Sequence, residues 1–463
     1  MASLREQIYQ EWREGILSGR FRPGESIPSS RELAQTLDVA RTTVTEAYDR
    51  LIAEGYLETA RGSGTFVSRE LPDEVLTPQR RTIARSAAMP TVRLSRYGAG
   101  LDYDYRRNRA PAGTISFQHG LPDLQHFPYD IWRKLLTRRL RDRDPEAFDY
   151  TGQSSGYSLL REEIAAYAGR IRAVSAKAEQ VIVVSGSQQA LDLCARLFLE
   201  AGNEVGLEDP GYQGAKNIFR ASGARLRPLA IDQDGVTLAG LSKKTRLIYV
   251  TPSHQYPTGV SMSLARRLEL IQLAKRSGSV LVEDDYSSEY RYSGPPLPSL
   301  QGLAQDTPIV YIGTFSKVMF PGLRIGYIIA PPSLVASFAR AKWLADRNTP
   351  MLEQMALADF MREGFLDRHV RRMRKLYGAR REALMEALSK HFGDSVCVPG
   401  DPAGMHLLAR FEDSDVGRRA EKNGVLMTDA AVYYLRKAPA SEFVLGFSAL
   451  GERAIAEGVR RLR

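Results

Sequence analysis

From about residue 114 onward, short apolar runs of β type alternate with longer helical patterns. This alternation restricts the fold more than any other feature of the chain. The runs "QVIVVSG", "RLIYVTP", "SVLVEDD" and "PIVYIGT" are rich in Val, Ile and Tyr, and most end in turn or polar residues. Strands that are apolar throughout must be covered on both faces. Helices between them supply the covers and the crossovers that parallel pairing requires. The expected fold is α/β, a mostly parallel central sheet between helical layers.

The first 68 residues follow a different pattern. In "IPSSRELAQTLDVARTTVTEAYDRLIAEGYLETARGSGTFV", Ser29 and Glu32 fit a capping box after Pro28. Leu33, Ala34 and Leu37 are expected on the buried side of one helix, and "DVA" turns the chain. A second helix is expected from about Arg41 to Glu54, with Val44, Ala47, Tyr48 and Leu51 as its apolar stripe. Its early, opposite face holds Arg41, Thr42, Thr43 and Thr45. Short hydroxyls and a guanidinium there suit phosphate and base-edge contacts in a major groove. "RGSGTF" makes a tight turn whose Arg61 could reach a groove or a phosphate. A three-helix module that binds protein would show the same periodicity.

Charge does not choose between these readings. Residues 1–70 hold nine arginines and no lysine against eleven acidic residues, a net of −2, although the 463-residue chain carries +10. Contact with DNA here would rest on placed arginines rather than on a basic field. Residues 69–113 are rich in Pro, Arg and small residues and read as a linker; its part from 71 onward holds eight arginines against four acidic residues. The two cysteines, Cys194 and Cys397, are too few for a disulfide framework and read as reduced core thiols. The N-terminal segment lacks the apolar core of a signal peptide, and no run approaches a membrane span, so a cytoplasmic location without membrane contact is expected.

Four segments of the large zone carry chemistry. "VVSGSQQALDL" reads as strand, turn and helix: Gly186 lets the backbone come close to a phosphate, and Ser187 and Gln188 offer donors, although many strand-to-helix turns look alike. "EDPGYQG" presents Tyr212, which could cover a flat ring or simply pack a loop. "VLVEDDYSSEY" ends a strand in Glu283, Asp284 and Asp285, where α/β folds bind ligands. Asp284 there could pair with a protonated ring nitrogen, and Tyr286 could donate to a phenolic oxygen. A metal site or a solvated loop is the alternative, and metal is disfavoured because the six histidines do not cluster nearby in the sequence. "GTFSKVMFPGLRIGY" places Lys317 between apolar runs, with Thr314, Ser316 and Arg324 close by. A lysine in a dry pocket is a good imine former, and Arg324 could clamp an anion. Together these parts describe one ligand with a phosphate, a flat ring, a basic ring nitrogen, a phenolic oxygen and an aldehyde. That ligand is pyridoxal 5′-phosphate (PLP).

The residues also carry a family resemblance. "SRELAQTLDVARTTVTEAYDRLIAEGYLETARGSGTFV" resembles the winged helix-turn-helix of GntR-family bacterial regulators, which implies promoter-DNA contact through Arg31, Arg41, Thr43 and the wing at Gly62. "SGSQQALDL", "EDPGYQGAK", "TPSHQYPTG", "VEDDYSSEY" and "GTFSK" with "PGLRIGY" resemble the aspartate aminotransferase fold, fold type I of PLP enzymes, over roughly 114–463. A GntR head on such a domain is the layout of the MocR subfamily. The resemblance implies that Lys317 is the imine-forming lysine, that Asp284 meets the pyridine nitrogen and Tyr286 the phenolic oxygen, and that Tyr212 stacks on the ring. It implies a phosphate held by Gly186, Ser187, Gln188, Thr314 and Arg324. Tyr150 matches a tyrosine that reaches the phosphate of a neighbouring subunit, which implies a homodimer.

Two departures from that pattern bear on function. Tyr256 stands where aminotransferases usually have Asn, and Val444 in "FVLGF" stands where "LRLGF" carries the arginine that anchors a substrate carboxylate. A valine cannot make that bidentate contact. The expectation is therefore a regulator rather than an enzyme, with at most a residual transaminase half-reaction. It would bind DNA through 1–68 and respond to PLP, with vitamin B6 genes as targets, or to an amine or amino acid reacting there. The alternatives are a working aminotransferase with a DNA-binding appendage, and a structural dimeriser without cofactor.

Overall fold

The computed structural model describes residues 3–60, 64–72, 92–101, 110–145, 148–149, 154–294, 297–304 and 306–463. The chain divides into two compact units, Met1–Arg93 and Leu94–Arg463.

In the smaller unit, helices α1 (Leu4–Leu17), α2 (Ser30–Thr36) and α3 (Arg41–Ala53) pack beside a small antiparallel sheet. Its strands β1 (Ser26–Ile27), β2 (Leu57–Ala60) and β3 (Gly64–Val67) lie in the order β1-β3-β2. The capping box is formed: Ser29 Oγ accepts from Glu32 N at 3.2 Å, and Glu32 accepts from Ser29 N at 2.8 Å. Val44, Ala47, Tyr48 and Leu51 are buried as the stripe predicts, and meet Ile8, Trp12 and Ile16 of α1 in one cluster. Leu37 departs from expectation. It caps the C-terminus of α2 and is 41% exposed, because the helix ends one residue before the apolar period would return it to the core. The unit's packing also runs past residue 68, since Leu71 is buried in the same cluster.

In the larger unit, β4 (Ile115–Ser116) precedes an eight-stranded sheet. Its strands are β5 (Val181–Val184), β6 (Glu204–Asp209), β7 (Arg225–Asp232), β8 (Gly235–Val236), β9 (Thr245–Val250), β10 (Val280–Asp285), β11 (Ile309–Thr314) and β12 (Gly326–Ile329). The order is β5-β12-β11-β10-β9-β6-β7-β8. From β11 to β7 the neighbours are parallel. β12 runs antiparallel to both β11 and β5. It follows that β5, β6, β9, β10 and β11 all end at one edge, and that β12 begins there. Val181 to Val184 and Val280 to Asp285 are buried along their whole length, as a sheet covered on both faces requires.

A second sheet, in the order β13-β14-β17-β16, is built from β13 (Val396–Cys397), β14 (His406–Phe411), β16 (Thr428–Asp429) and β17 (Glu442–Gly446). β15 (Val425–Leu426) pairs in parallel with β4. Cys194 is buried as expected, but Cys397 is exposed, because it lies on an edge strand of this second sheet. No helix among the described residues is long and apolar enough to cross a membrane.

Leu51 is fully enclosed beneath α1. Leu51→Ala should cost the small unit about 2–5 kcal/mol. The expected outcome is faster amide exchange across 41–53, read by mass spectrometry, with the 280–285 strand unchanged.

Candidate functional site

At the shared strand edge lies a cavity of about 290 Å³, lined among others by Ser187, Tyr212, Asp284, Tyr286, Lys317 and Arg324. They arrive from the ends of β5, β6, β10 and β11 or the turns beyond them, and from the turn before β12. After β5 the chain turns at Gly186 (φ +87°), and a helix, Ser187–Phe198, starts there without a side-chain cap. Its first N–H groups are left open to an anion. A Cβ on Gly186 would sit 3.3 Å from the Arg324 guanidinium, so that position needs glycine for space as well as for φ. Arg324 donates to the Ser185 carbonyl at 2.5 Å, and Thr314 Oγ1 lies 3.1 Å from Ser316 Oγ. Gln188 donates to the Gly214 carbonyl at 3.2 Å and accepts from Tyr212 Oη at 3.2 Å.

Lys317 is half-buried and its Nζ donates to the Gly120 carbonyl at 2.8 Å. A Cβ on Gly120 (φ +82°) would lie 3.0 Å from that nitrogen. Asp284 is 3% exposed; its Oδ2 accepts from Tyr249 Oη at 2.8 Å, while Oδ1 is buried without a partner. Burial, aided by the charge of Asp285, pushes Asp284 up to about 7 despite the Tyr249 bond. Tyr286 Oη is also buried without a partner. The arrangement can therefore take a ligand that gives Asp284 a proton-bearing cation and gives Tyr286 an acceptor.

Ten residues were expected to bind the cofactor. Lys317, Asp284, Tyr286, Tyr212, Ser187, Gln188, Thr314 and Arg324 line the cavity, and Gly186 stands against Arg324. Tyr150 lies outside the described residues. Of the six residues expected to meet DNA, Arg31, Arg41 and Thr42 are exposed and Thr43 is half-exposed. Arg61 and Gly62 lie outside the described residues. α3 opens at Ala40 with no side-chain cap and no acidic residue in its first turn, so its positive end is uncompensated.

The histidines correct the sequence reading. They are scattered along the chain, yet His119, His254 and His406 meet beside the cavity, with ring centroids 5.4 and 5.7 Å apart along the set. The fold joins residues far apart in sequence, which no local spacing could reveal. Among the described residues no group of His, Cys, Asp and Glu has the arrangement of a metal site. His119 Nε2 is approached by Tyr256 Oη at 2.5 Å and Tyr433 Oη at 3.1 Å. Val444 is fully buried in a cluster with Tyr256, Leu408, Ala430 and Tyr433; Tyr256 lines the cavity and Val444 does not.

Behind the cavity, Asp285 accepts from Arg172 at 2.5 Å and from Tyr311 Oη at 2.8 Å. Glu289 accepts from Tyr167 Oη at 3.1 Å and is pushed up to about 7, chiefly by burial and then by Asp285. Glu208 is pushed up to about 7 by burial, against bonds from Thr251 and Gln255. A raised carboxyl binds its proton more tightly folded than unfolded. Its stabilising contribution is present below the unfolded carboxyl pKa and is lost as pH rises through about 7. The thermal midpoint of the chain should therefore rise as pH falls from about 8 to about 5, and Glu289→Gln should flatten part of that rise in scanning calorimetry.

The family model "Aminotransferase class I and II" matches residues 122–445, and "Bacterial regulatory proteins, gntR family" matches residues 4–67. The chain is 38% identical, over 99% of its length and 93% of the relative's, to a probable rhizopine catabolism regulatory protein MocR of Rhizobium meliloti. It is 33% identical, over 83% of its length and 79% of the relative's, to the pyridoxine biosynthesis transcriptional regulator PdxR of Corynebacterium glutamicum. Among solved structures it resembles a Pyrococcus horikoshii kynurenine aminotransferase, with a TM-score of 0.71 and 30% identity over 76% of this chain and 90% of that one.

Proposed function

This chain belongs to the MocR subfamily of GntR-family transcriptional regulators, and we propose on that premise that residues 1–68 bind promoter DNA while residues 114–463 hold PLP at Lys317 and relay its state. Residues 69–113 join the two parts. The signal is the arrival of PLP itself or of an amine that reacts with it. The protein works as a cytoplasmic homodimer.

The observation that carries this reading is the pair of orphaned buried atoms in one cavity with Lys317. Asp284 Oδ1 lacks a donor and Tyr286 Oη lacks an acceptor. A pyridinium nitrogen and a phenolate oxygen supply both. When bound, PLP supplies an aldehyde that takes up amines and a ring that withdraws electrons. The chain's own residues do the rest. Arg324 and the open N–H groups after Gly186 suit the phosphate. Tyr212 offers a ring face, and Asp284 keeps the ring nitrogen protonated. At the DNA end, Arg31, Arg41, Thr42, Thr43, Arg61 and Gly62 are the proposed contacts.

The burial of Val444 in one cluster with Tyr256 favours sensing over turnover, because a valine there offers no charge to seat a substrate carboxylate. The aminotransferase relatives and the lining of the cofactor cavity favour a transaminase reading as the second one. Sustained turnover of an amino donor with 2-oxoglutarate would establish it. For the leading reading, the purified chain with PLP should show a visible absorption band that Lys317→Ala abolishes. Arg41→Ala should weaken binding to DNA from upstream of its own gene by about 1–3 kcal/mol in a gel-shift assay. A colourless protein, or DNA affinity untouched by Arg41→Ala, would overturn the corresponding half.

A further inference from the structure

A second set of side chains lines the same cavity: His119, Tyr256, Met405 and His406. Their chemistry is distinct from that of the phosphate side. Arg324 is the one guanidinium among the lining residues, and it is held beside Gly186 by the Ser185 carbonyl. His406 is 3% exposed. Burial, with the neighbouring His254, His119 and Lys317, holds its ring well below the usual histidine range, so it is a neutral imidazole. His254 is likewise held down, to about 4, chiefly by burial.

A neutral imidazole has one N–H. In His406 that proton serves a hydrogen bond to the Pro257 carbonyl. Nε2 remains as a bare lone pair, buried without a partner. Beside it, Tyr256 Oη and Tyr433 Oη converge on His119 Nε2. This wall therefore presents acceptors and hydroxyls, and among the described residues no cation. A carboxylate placed against it would be desolvated and facing a lone pair. A hydroxyl placed there would give Nε2 the proton it lacks.

We infer that the second ligand of this cavity is a primary amine bearing an uncharged hydroxyl, an amino alcohol or amino polyol, and that α-amino acids are discriminated against. The inference rests on the reading of Lys317 as the PLP-bearing lysine. The amine nitrogen takes the place of Nζ on the aldehyde carbon: one C=N bond forms as the other breaks, and the two amine protons pass to Nζ, freeing the lysine.

The test compares serinol (2-amino-1,3-propanediol) with L-serine, which differ by a hydroxymethyl in place of the carboxylate. Each is titrated into the full-length PLP-loaded chain, reading the visible band and, in parallel, DNA retention in a gel shift. Serinol should bind at least about tenfold more tightly than serine. His406→Leu should shrink that preference to about threefold or less while the band persists. Equal affinity, tighter binding of serine, or no response to either amine overturns the inference. In those cases a band abolished by Lys317→Ala still upholds the cofactor reading. Absence of any band overturns both.

Discussion

Three consecutive carboxylates, Glu283, Asp284 and Asp285, end the central strand β10, and all three are buried. The pleat of the strand separates them. Glu283 and Asp285 turn to one face and Asp284 to the other. Glu283 accepts from the N–H groups of Leu300 and Gln301, at the start of the short helix Leu300–Leu303. Asp285 is neutralised by Arg172, itself buried and tied to Leu297 O and Ser253 Oγ. Among the three, Asp284 has an oxygen, Oδ1, that is buried without a partner, and Asp284 lines the cavity. Removing Arg172 would leave Asp285 a buried charge without its counter-charge, at a cost of about 3–5 kcal/mol. The ligand-facing acid is thus available because its two neighbours are paired on the opposite face.

The two departures from the aminotransferase pattern form a single packing unit. Tyr256 and Val444 share one apolar cluster, closed by Leu408 and Ala430. Val444 lies opposite both Leu408 and Thr428 in the second sheet. An arginine at 444 would have to bury its charge beneath the Tyr256 ring, and an asparagine at 256 would leave a hole over Val444. Tyr256 and Val444 fill that cluster together. Together they exchange a salt-bridge site for a surface of phenols and imidazoles.

Much of this was legible in the sequence because its determinants are local. Strand-end motifs such as "GSQQ", "EDD" and "TFSK" put their side chains at the sheet edge once the strands are parallel. The apolar stripe of α3 and the Ser29 box likewise need only their own neighbours. What was not legible depends on contacts across the chain. His119 and His406 are brought together because β14 sits beside the loop after β4, and neither residue has a neighbouring pattern that marks it. Helical spacing puts Leu37 in the core, and residue type puts Cys397 there. The helix end and the sheet edge put them outside it.

The bond from Lys317 to Gly120 joins the catalytic-type lysine to a segment with other attachments. Residues 115–117 are stitched to β15 through Ile115 N to Gly424 O and Phe117 N to Leu426 O, and to β17 of the second sheet through Gly446 N to Phe117 O. Gly120, with no side chain, lets the nitrogen approach its own carbonyl. Chemistry that consumes the protons on Nζ also cuts the tether holding that loop. The nitrogen is then both reactant and latch, and the first mechanical effect of a ligand falls on a segment bonded to β15 and to the edge of β17.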